Sequence, residues 1–141
     1  MNIKSACYEE MVDRARRDTP NETCGLFTGR PGTIEGLHPM KNAASQPEVR
    51  YEFDSTEHIK AIHKMKREGI PILGIYHSHP ASEAYPSATD VDRALWDKTP
   101  LFPEYLYIIL SLQNPSAPAA RAFRILSGGE IREEELTVVM A

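Results

Sequence analysis

Two short apolar runs constrain this chain more than any other feature: IPILGIY at residues 70–76 and EYLYIILSL at 104–112. The first is continuous rather than alternating, so it suits a strand covered on both faces, and the second carries the strongest strand signal in the sequence. Helices are available to cover them. SACYEEMVDRARRDTP (5–20) sets Tyr8, Met11, Val12 and Ala15 at helical spacing, with Ser5 as a candidate cap and a stop before Pro20. STEHIKAIHKMKREG (55–69) marks a helical face with Ile59, Ile62 and Met65; Ser55 or Thr56 opens only a loose capping pattern, and Gly69 suits a left-handed cap. SATDVDRALWD (87–97) has the third helical pattern.

Further strands fill the intervals. TCGLFTGRPGTIEGLHPM (23–40) predicts two short strands around the turn GRPG, and VRYEFD (49–54) alternates like another. ARAFRIL and EIREEELTVV predict a closing pair joined by a tight turn at Gly128 and Gly129, while the prolines of QNPSAPAA mark an exposed connection. Strands interleaved with about three helices predict an α/β fold, a single domain over 1–141 with a central sheet.

A chain of 141 residues, 41% hydrophobic, buries a core without disulfides or a structural metal. Sixteen Lys and Arg against twenty Asp and Glu give a net charge of −4, with no basic stripe, which argues against nucleic acid as a partner. No apolar run approaches the roughly eighteen residues of a membrane span, and the charged N-terminal segment does not resemble a leader, so the expected location is cytoplasmic. Cys7 and Cys24 form no Cys-x-x-Cys pair, which suits a reducing compartment and a role as small buried residues.

The chemistry concentrates in GIYHSHPASEAYPSATD (74–90). Strand side chains alternate faces, so His77 and His79 point the same way with Cα atoms roughly 7 Å apart, and their imidazoles can converge on one ion. Alone, such a pair is more often structural or superficial than ligating. Zinc takes nitrogen, sulfur or carboxylate ligands, and Asp90 could supply a third. Ser87 to Asp90 is equally a capping-box pattern, and the two readings are compatible: a helix starting after the loop would bring that carboxylate beside the strand end, where sites collect in α/β sheets.

HSHPASEAYPSATD resembles the JAMM signature of the MPN-plus metalloproteases: His-x-His-Pro, seven residues from His79 to Ser87, then two to Asp90. PNETCGLFTG resembles the family segment carrying an upstream catalytic glutamate, here Glu22. The resemblance runs over nearly the whole chain and is similar to compact bacterial and archaeal members. It implies a mixed, curved sheet of the JAB/MPN, cytidine-deaminase-like type.

The resemblance further implies that His77, His79 and Asp90 bind zinc (Zn2+), which makes a water available as hydroxide at a pKa of about 7. Glu22 would take the proton and hand it to the leaving amine, and Ser87 would donate a hydrogen bond to the tetrahedral oxygen. The residues alone do not select Glu22, since Glu83 lies in the loop after the histidines and Glu22 also reads as an exposed carboxylate in a turn. Pro80 either stiffens the strand exit or simply terminates it. Cys24 could share the face of Glu22 but reads better as a buried apolar residue. His38, His58 and His63 lack partners at ligand spacing, and Trp96 and Tyr105 read as core.

The substrate implied is the C-terminal tail of a ubiquitin-like fold, in compact prokaryotic relatives a small sulfur-carrier protein ending in Gly-Gly, cut at a peptide or isopeptide bond within sulfur metabolism. A narrow cleft would favour glycines, and an extended tail is commonly held on a sheet edge. That edge could instead pair with a second copy as a homodimer. Two rivals remain: a metal-free MPN-type scaffold that binds proteins, and a zinc hydrolase acting on a small-molecule amide. The His-x-Glu with Pro-Cys-x-x-Cys of nucleobase deaminases and the His-Glu-x-x-His of the commonest zinc peptidases are both missing from the sequence.

Overall fold

The computed structural model describes residues 1–140. In chain order the elements are β1 (Asn2–Lys4), α1 (Ser5–Asp18), β2 (Cys24–Arg30), β3 (Thr33–Met40), α2 (Ser55–Glu68), β4 (Ile72–His79), α3 (Ala88–Ala94), β5 (Leu95–Trp96), β6 (Thr99–Pro100), β7 (Leu106–Ser111), β8 (Ala119–Ile125), β9 (Ile131–Glu134) and β10 (Thr137–Val139). Eight strands form one sheet in the order β10-β1-β3-β2-β4-β7-β8-β9, and β5 and β6 make a separate small hairpin. The sheet is mixed: β10/β1, β1/β3 and β4/β7 are parallel and the other pairs antiparallel.

By hydrogen-bond order β9 and β10 are opposite edges, yet only Glu135 and Leu136 separate them in sequence. Three residue steps span at most about 11 Å, so the sheet must curl until its edges approach each other. Register shifts in β2 next to Thr28 contribute the local bends such a curl requires. At the centre, β4 and β7 approach so closely that a Cβ on Gly74 would lie 1.8 Å from the Leu106 carbonyl oxygen. Only glycine permits that contact.

The two apolar runs become β4 and β7, the central parallel pair, and both faces are covered as the sequence predicts. Against one face α1 packs Cys7, Met11, Val12 and Ala15 onto Phe27, Tyr76, Leu106, Ile108 and Leu110. On the other, Ala61 and Ala94 from α2 and α3 join a cluster with Leu26, Tyr51, Ile75, Tyr105 and Tyr107. Burying such side chains stabilises by about 25 cal/mol per Å² of apolar surface removed from water, and this term holds the layers together.

Several local expectations need correction. Ser5 is the first residue of α1 rather than its cap, because β1 runs straight into the helix at Lys4 and no side chain caps it. In α2 the cap is Asp54, whose side chain accepts the Glu57 N–H at 3.0 Å, and Gly69 closes the helix at φ 68° as expected. The inward face of α2 is Ala61 and Met65; Ile59 is 54% exposed. VRYEFD forms no strand, for its backbone is held by the Asn42 side chain instead of a neighbouring strand. The closing segment divides at Glu135 and Leu136 into β9 and β10 on opposite edges. Trp96 is 77% exposed rather than core, since it stands on the hairpin tipped by Asp97 and Lys98 while Leu95 and Phe102 fill the interior.

Candidate metal centre

β2 and β4 run antiparallel with Cys24 opposite His77. Beyond that pair the Ser78 N–H donates to the Thr23 carbonyl at 3.0 Å and the Thr23 N–H donates to Ser78 Oγ at 2.8 Å. Alternation along both strands then places Glu22 on the face that carries Cys24, His77 and His79. One ligand atom each from Glu22, His77 and His79 falls within 4.8 Å of the others.

The fourth group arrives from the helix. Ser87 Oγ accepts the Asp90 N–H at 3.1 Å and Asp90 Oδ2 accepts the Ser87 N–H at 2.9 Å, a reciprocal capping box. The same Oδ2 lies 3.1 Å from His77 Nε2 and 3.2 Å from His79 Nε2. The capping pattern read from the sequence is therefore present, and it delivers the Asp90 carboxylate to the histidines. Ser87 itself is exposed at the rim, its oxygen engaged as an acceptor and its hydrogen free to donate.

All four ionisable groups are buried, at 4% exposure for Glu22, 1% for His77 and 5% for His79 and Asp90. Burial pushes the Glu22 carboxyl up to about 8; the Asp90 charge adds to this, while His79 and Arg50 oppose it. Burial lowers His77. For His79 burial also works downward, but hydrogen bonds to Asp90 and to the Glu83 backbone carbonyl raise it overall. Asp90, despite burial, is held well below the usual carboxylate range by His77, His79 and the Ser87 N–H. Glu22 Oε1 has no hydrogen-bond partner among the described residues. An unpartnered buried carboxylate oxygen beside two imidazoles and a second carboxylate is costly by itself and suits a divalent cation.

His79 Nδ1 lies 2.8 Å from the Glu83 carbonyl oxygen. With Nδ1 donating there, Nε2 presents its lone pair to the cluster. Glu83 thus contributes its backbone, and its exposed side chain stands outside the cluster. Cys24 is buried, donates from Sγ to the Met40 carbonyl at 3.5 Å and has its thiol raised to about 12 by burial, in line with a small buried residue. His58 on α2 packs edge-on against Phe53 at 5.0 Å between centroids, and Tyr105 is core.

Two residues that the sequence did not disclose organise the surroundings. Asn42 Nδ2 donates to the carbonyls of Glu22 at 3.1 Å and Arg50 at 3.0 Å, while its Oδ1 accepts the N–H of Ala44 at 3.0 Å and Glu52 at 3.2 Å. The Glu22 N–H donates in turn to the Pro47 carbonyl at 2.7 Å. Tyr51 stacks on His77 with ring centroids 4.5 Å apart. Neither had a spacing signal: a lone Asn after a strand reads as a turn residue, and Tyr51 sat inside an alternating pattern read as a strand.

The curled sheet with this site at the ends of β2 and β4 is a JAB/MPN-type domain. A JAB1/MPN domain protein from Archaeoglobus fulgidus has this fold, with a TM-score of 0.61 at 22% identity over 99% of each chain. A protein of known solution structure from Desulfitobacterium hafniense matches with a TM-score of 0.84 and 34% identity, over 99% of this chain and 93% of its own. The family described as prokaryotic homologs of the JAB domain matches residues 4–126. The chain is 38% identical over 140 residues to the CysO-cysteine peptidase of Mycobacterium tuberculosis, covering 97% of this chain and 90% of that one. It is 39% identical over 117 residues to the desampylase of Haloferax volcanii, covering 79% and 80%. The chain belongs to the prokaryotic JAB domain family, and it is a peptidase of that family.

Proposed function

We propose that this peptidase is a zinc enzyme that hydrolyses the peptide or isopeptide bond after the C-terminal Gly-Gly of a ubiquitin-like or sulfur-carrier protein. The observation that carries the reading is the convergence of Glu22, His77, His79 and Asp90, all buried, at one end of the central strands. His77, His79 and Asp90 would hold the metal, and Glu22 would serve as the base. When bound, zinc supplies the Lewis acidity that activates water near neutral pH.

The chain's own groups do the rest. Glu22, whose buried Oε1 has no hydrogen-bond partner among the described residues, would accept a proton and return it to the leaving amine. Ser87 directs its free hydroxyl hydrogen toward the oxygen of the tetrahedral intermediate. Substrate enters along a cleft of about 910 Å³ between the end of β3 and α2, lined by Met40, Asn42, Ala43, Ala61 and Lys64 among others. β1 pairs only with Thr33 and Ile34 of β3, which leaves the later β3 edge open to an added strand. Asn42 lines this cleft and also bonds the Glu22 backbone carbonyl, while Glu22, His77, His79 and Asp90 are not among the residues lining it.

The names of the relatives support this substrate class: one is a CysO-cysteine peptidase and another a desampylase. Two buried free cysteines fit a cytoplasmic setting. The test is zinc content together with cleavage of a ubiquitin-like carrier extended by one residue after Gly-Gly. Wild type is expected to hold about one zinc per chain and release the extension, and His77→Ala to lose both. Zinc without cleavage would overturn the substrate, and no zinc would overturn the metal.

A further inference from the structure

The two histidines are held in different ways. His79 is fixed at both ends of its ring, with Nε2 in the cluster and Nδ1 2.8 Å from the Glu83 carbonyl oxygen. His77 has Nε2 in the cluster, but its Nδ1 is buried without a hydrogen-bond partner among the described residues. A ligating imidazole is normally oriented through its second nitrogen, and one lacking that bond can swing about its Cβ–Cγ axis. Something else must set the His77 ring.

The ring plane of Tyr51 lies against it, with centroids 4.5 Å apart and planes inclined by 28°. This is the close end of the range in which aromatic rings attract. Tyr51 is itself immobilised. The carbonyl of the residue before it, Arg50, accepts from Asn42 Nδ2 at 3.0 Å, and the N–H of the residue after it, Glu52, donates to Asn42 Oδ1 at 3.2 Å. One amide therefore clamps the backbone on both sides of Tyr51. The same Nδ2 donates to the Glu22 carbonyl at 3.1 Å, which ties the stacked ring to the segment carrying the base.

We propose that Tyr51 is a positioning residue for His77, orienting by ring stacking an imidazole whose Nδ1 no hydrogen bond orients. The inference rests on the reading of His77 as a metal ligand. It assigns the aromatic ring of Tyr51, rather than its hydroxyl, as the active part.

The test measures zinc affinity by competition with a chromophoric chelator in wild type, Tyr51→Phe, Tyr51→Leu and Phe53→Leu. Phe53 belongs to the same segment, 5.6 Å from Tyr51 between centroids, and its other ring contact among the described residues is with His58 rather than His77, so it reports general loosening. Tyr51→Leu is expected to weaken zinc binding by about 10- to 100-fold, while Tyr51→Phe and Phe53→Leu stay within about threefold of wild type. Equal affinity in Tyr51→Leu and wild type would overturn the proposal, as would equal losses in Tyr51→Leu and Phe53→Leu. Wild type that binds no zinc would overturn the metal reading and this inference with it.

A second measurement does not depend on any variant folding. In chelator-treated wild type, the ring protons of His77 should resonate upfield of those of exposed His63 through the ring current of Tyr51. Coincident shifts would show that the stack does not exist.

Discussion

Asp90 Oδ2 lies 3.1 Å from His77 Nε2, although the two residues belong to different layers of the domain, a helix and the central strand. The contact exists because Asp90 is the third residue of α3, where the capping box with Ser87 fixes its side chain. The oxygen that satisfies the helix start also faces the histidine. The helix start therefore sets where the Asp90 carboxylate stands relative to the histidines.

The capping role of Ser87 and its proposed catalytic role can be separated by substitution. Replacing a serine cap by glycine costs only a few tenths of a kcal/mol, roughly 0.3, because glycine also tolerates the cap backbone. Ser87→Gly should thus leave the unfolding midpoint nearly unchanged while lowering kcat on a Gly-Gly carrier by about 10²- to 10³-fold, the usual effect of a lost oxyanion donor. Retained turnover in a folded Ser87→Gly would remove the hydroxyl from the mechanism.

The cleft predicts a binding defect that spares the metal. Ala43 is exposed and lines the space between β3 and α2. Ala43→Trp should raise KM for a carrier by about tenfold or more by steric exclusion, with zinc content unchanged. An unaltered KM would mean that substrate approaches from elsewhere.

Asn42 predicts a stability effect. Its amide serves the carbonyls of Glu22 and Arg50 and the N–H groups of Ala44 and Glu52. Asn42→Ala leaves three partly buried groups and the exposed Glu52 N–H without the amide and should destabilise by about 2 kcal/mol in urea unfolding. A loss below about 0.5 kcal/mol would show that solvent replaces the amide.

The Glu22 carboxyl, pushed up to about 8 by burial, links stability to pH in the chelated protein. A carboxyl raised in the folded state favours folding fully below its unfolded value, about 4.5, and loses that contribution as pH rises through its folded value. Glu22→Gln is neutral throughout. With metal removed, the variant should gain stability on wild type between about pH 5 and about pH 9, read from urea midpoints. A constant difference across that interval would contradict the buried-carboxylate assignment.

Much of the site was legible because strand and helix periodicities are short-range. Alternation alone puts His77 and His79 on one face, and the Ser87 to Asp90 spacing writes a helix cap whose carboxylate turns back to the strand end. The central pair β4 and β7 was legible for a related reason: a strand buried on both faces leaves no polar alternation. What the sequence hid depends on contacts across long separations or on the removal of an ordinary environment. Glu22 reads as a turn carboxylate until β2 pairs with β4 and buries it. Tyr51 alternates like a strand residue, but Asn42 captures the backbone on either side of it. Trp96 looks like core by composition, yet a two-residue strand on a small hairpin cannot reach the interior. The division of the closing segment is likewise dictated by curling of the whole sheet.

The most direct test of the account is Glu22→Gln, with zinc content and carrier cleavage measured on the same preparation. Glutamine preserves shape but neither takes nor returns a proton, so the account predicts zinc at the wild-type level with turnover reduced by about 10²-fold or more. Full cleavage by a zinc-loaded Glu22→Gln would contradict it.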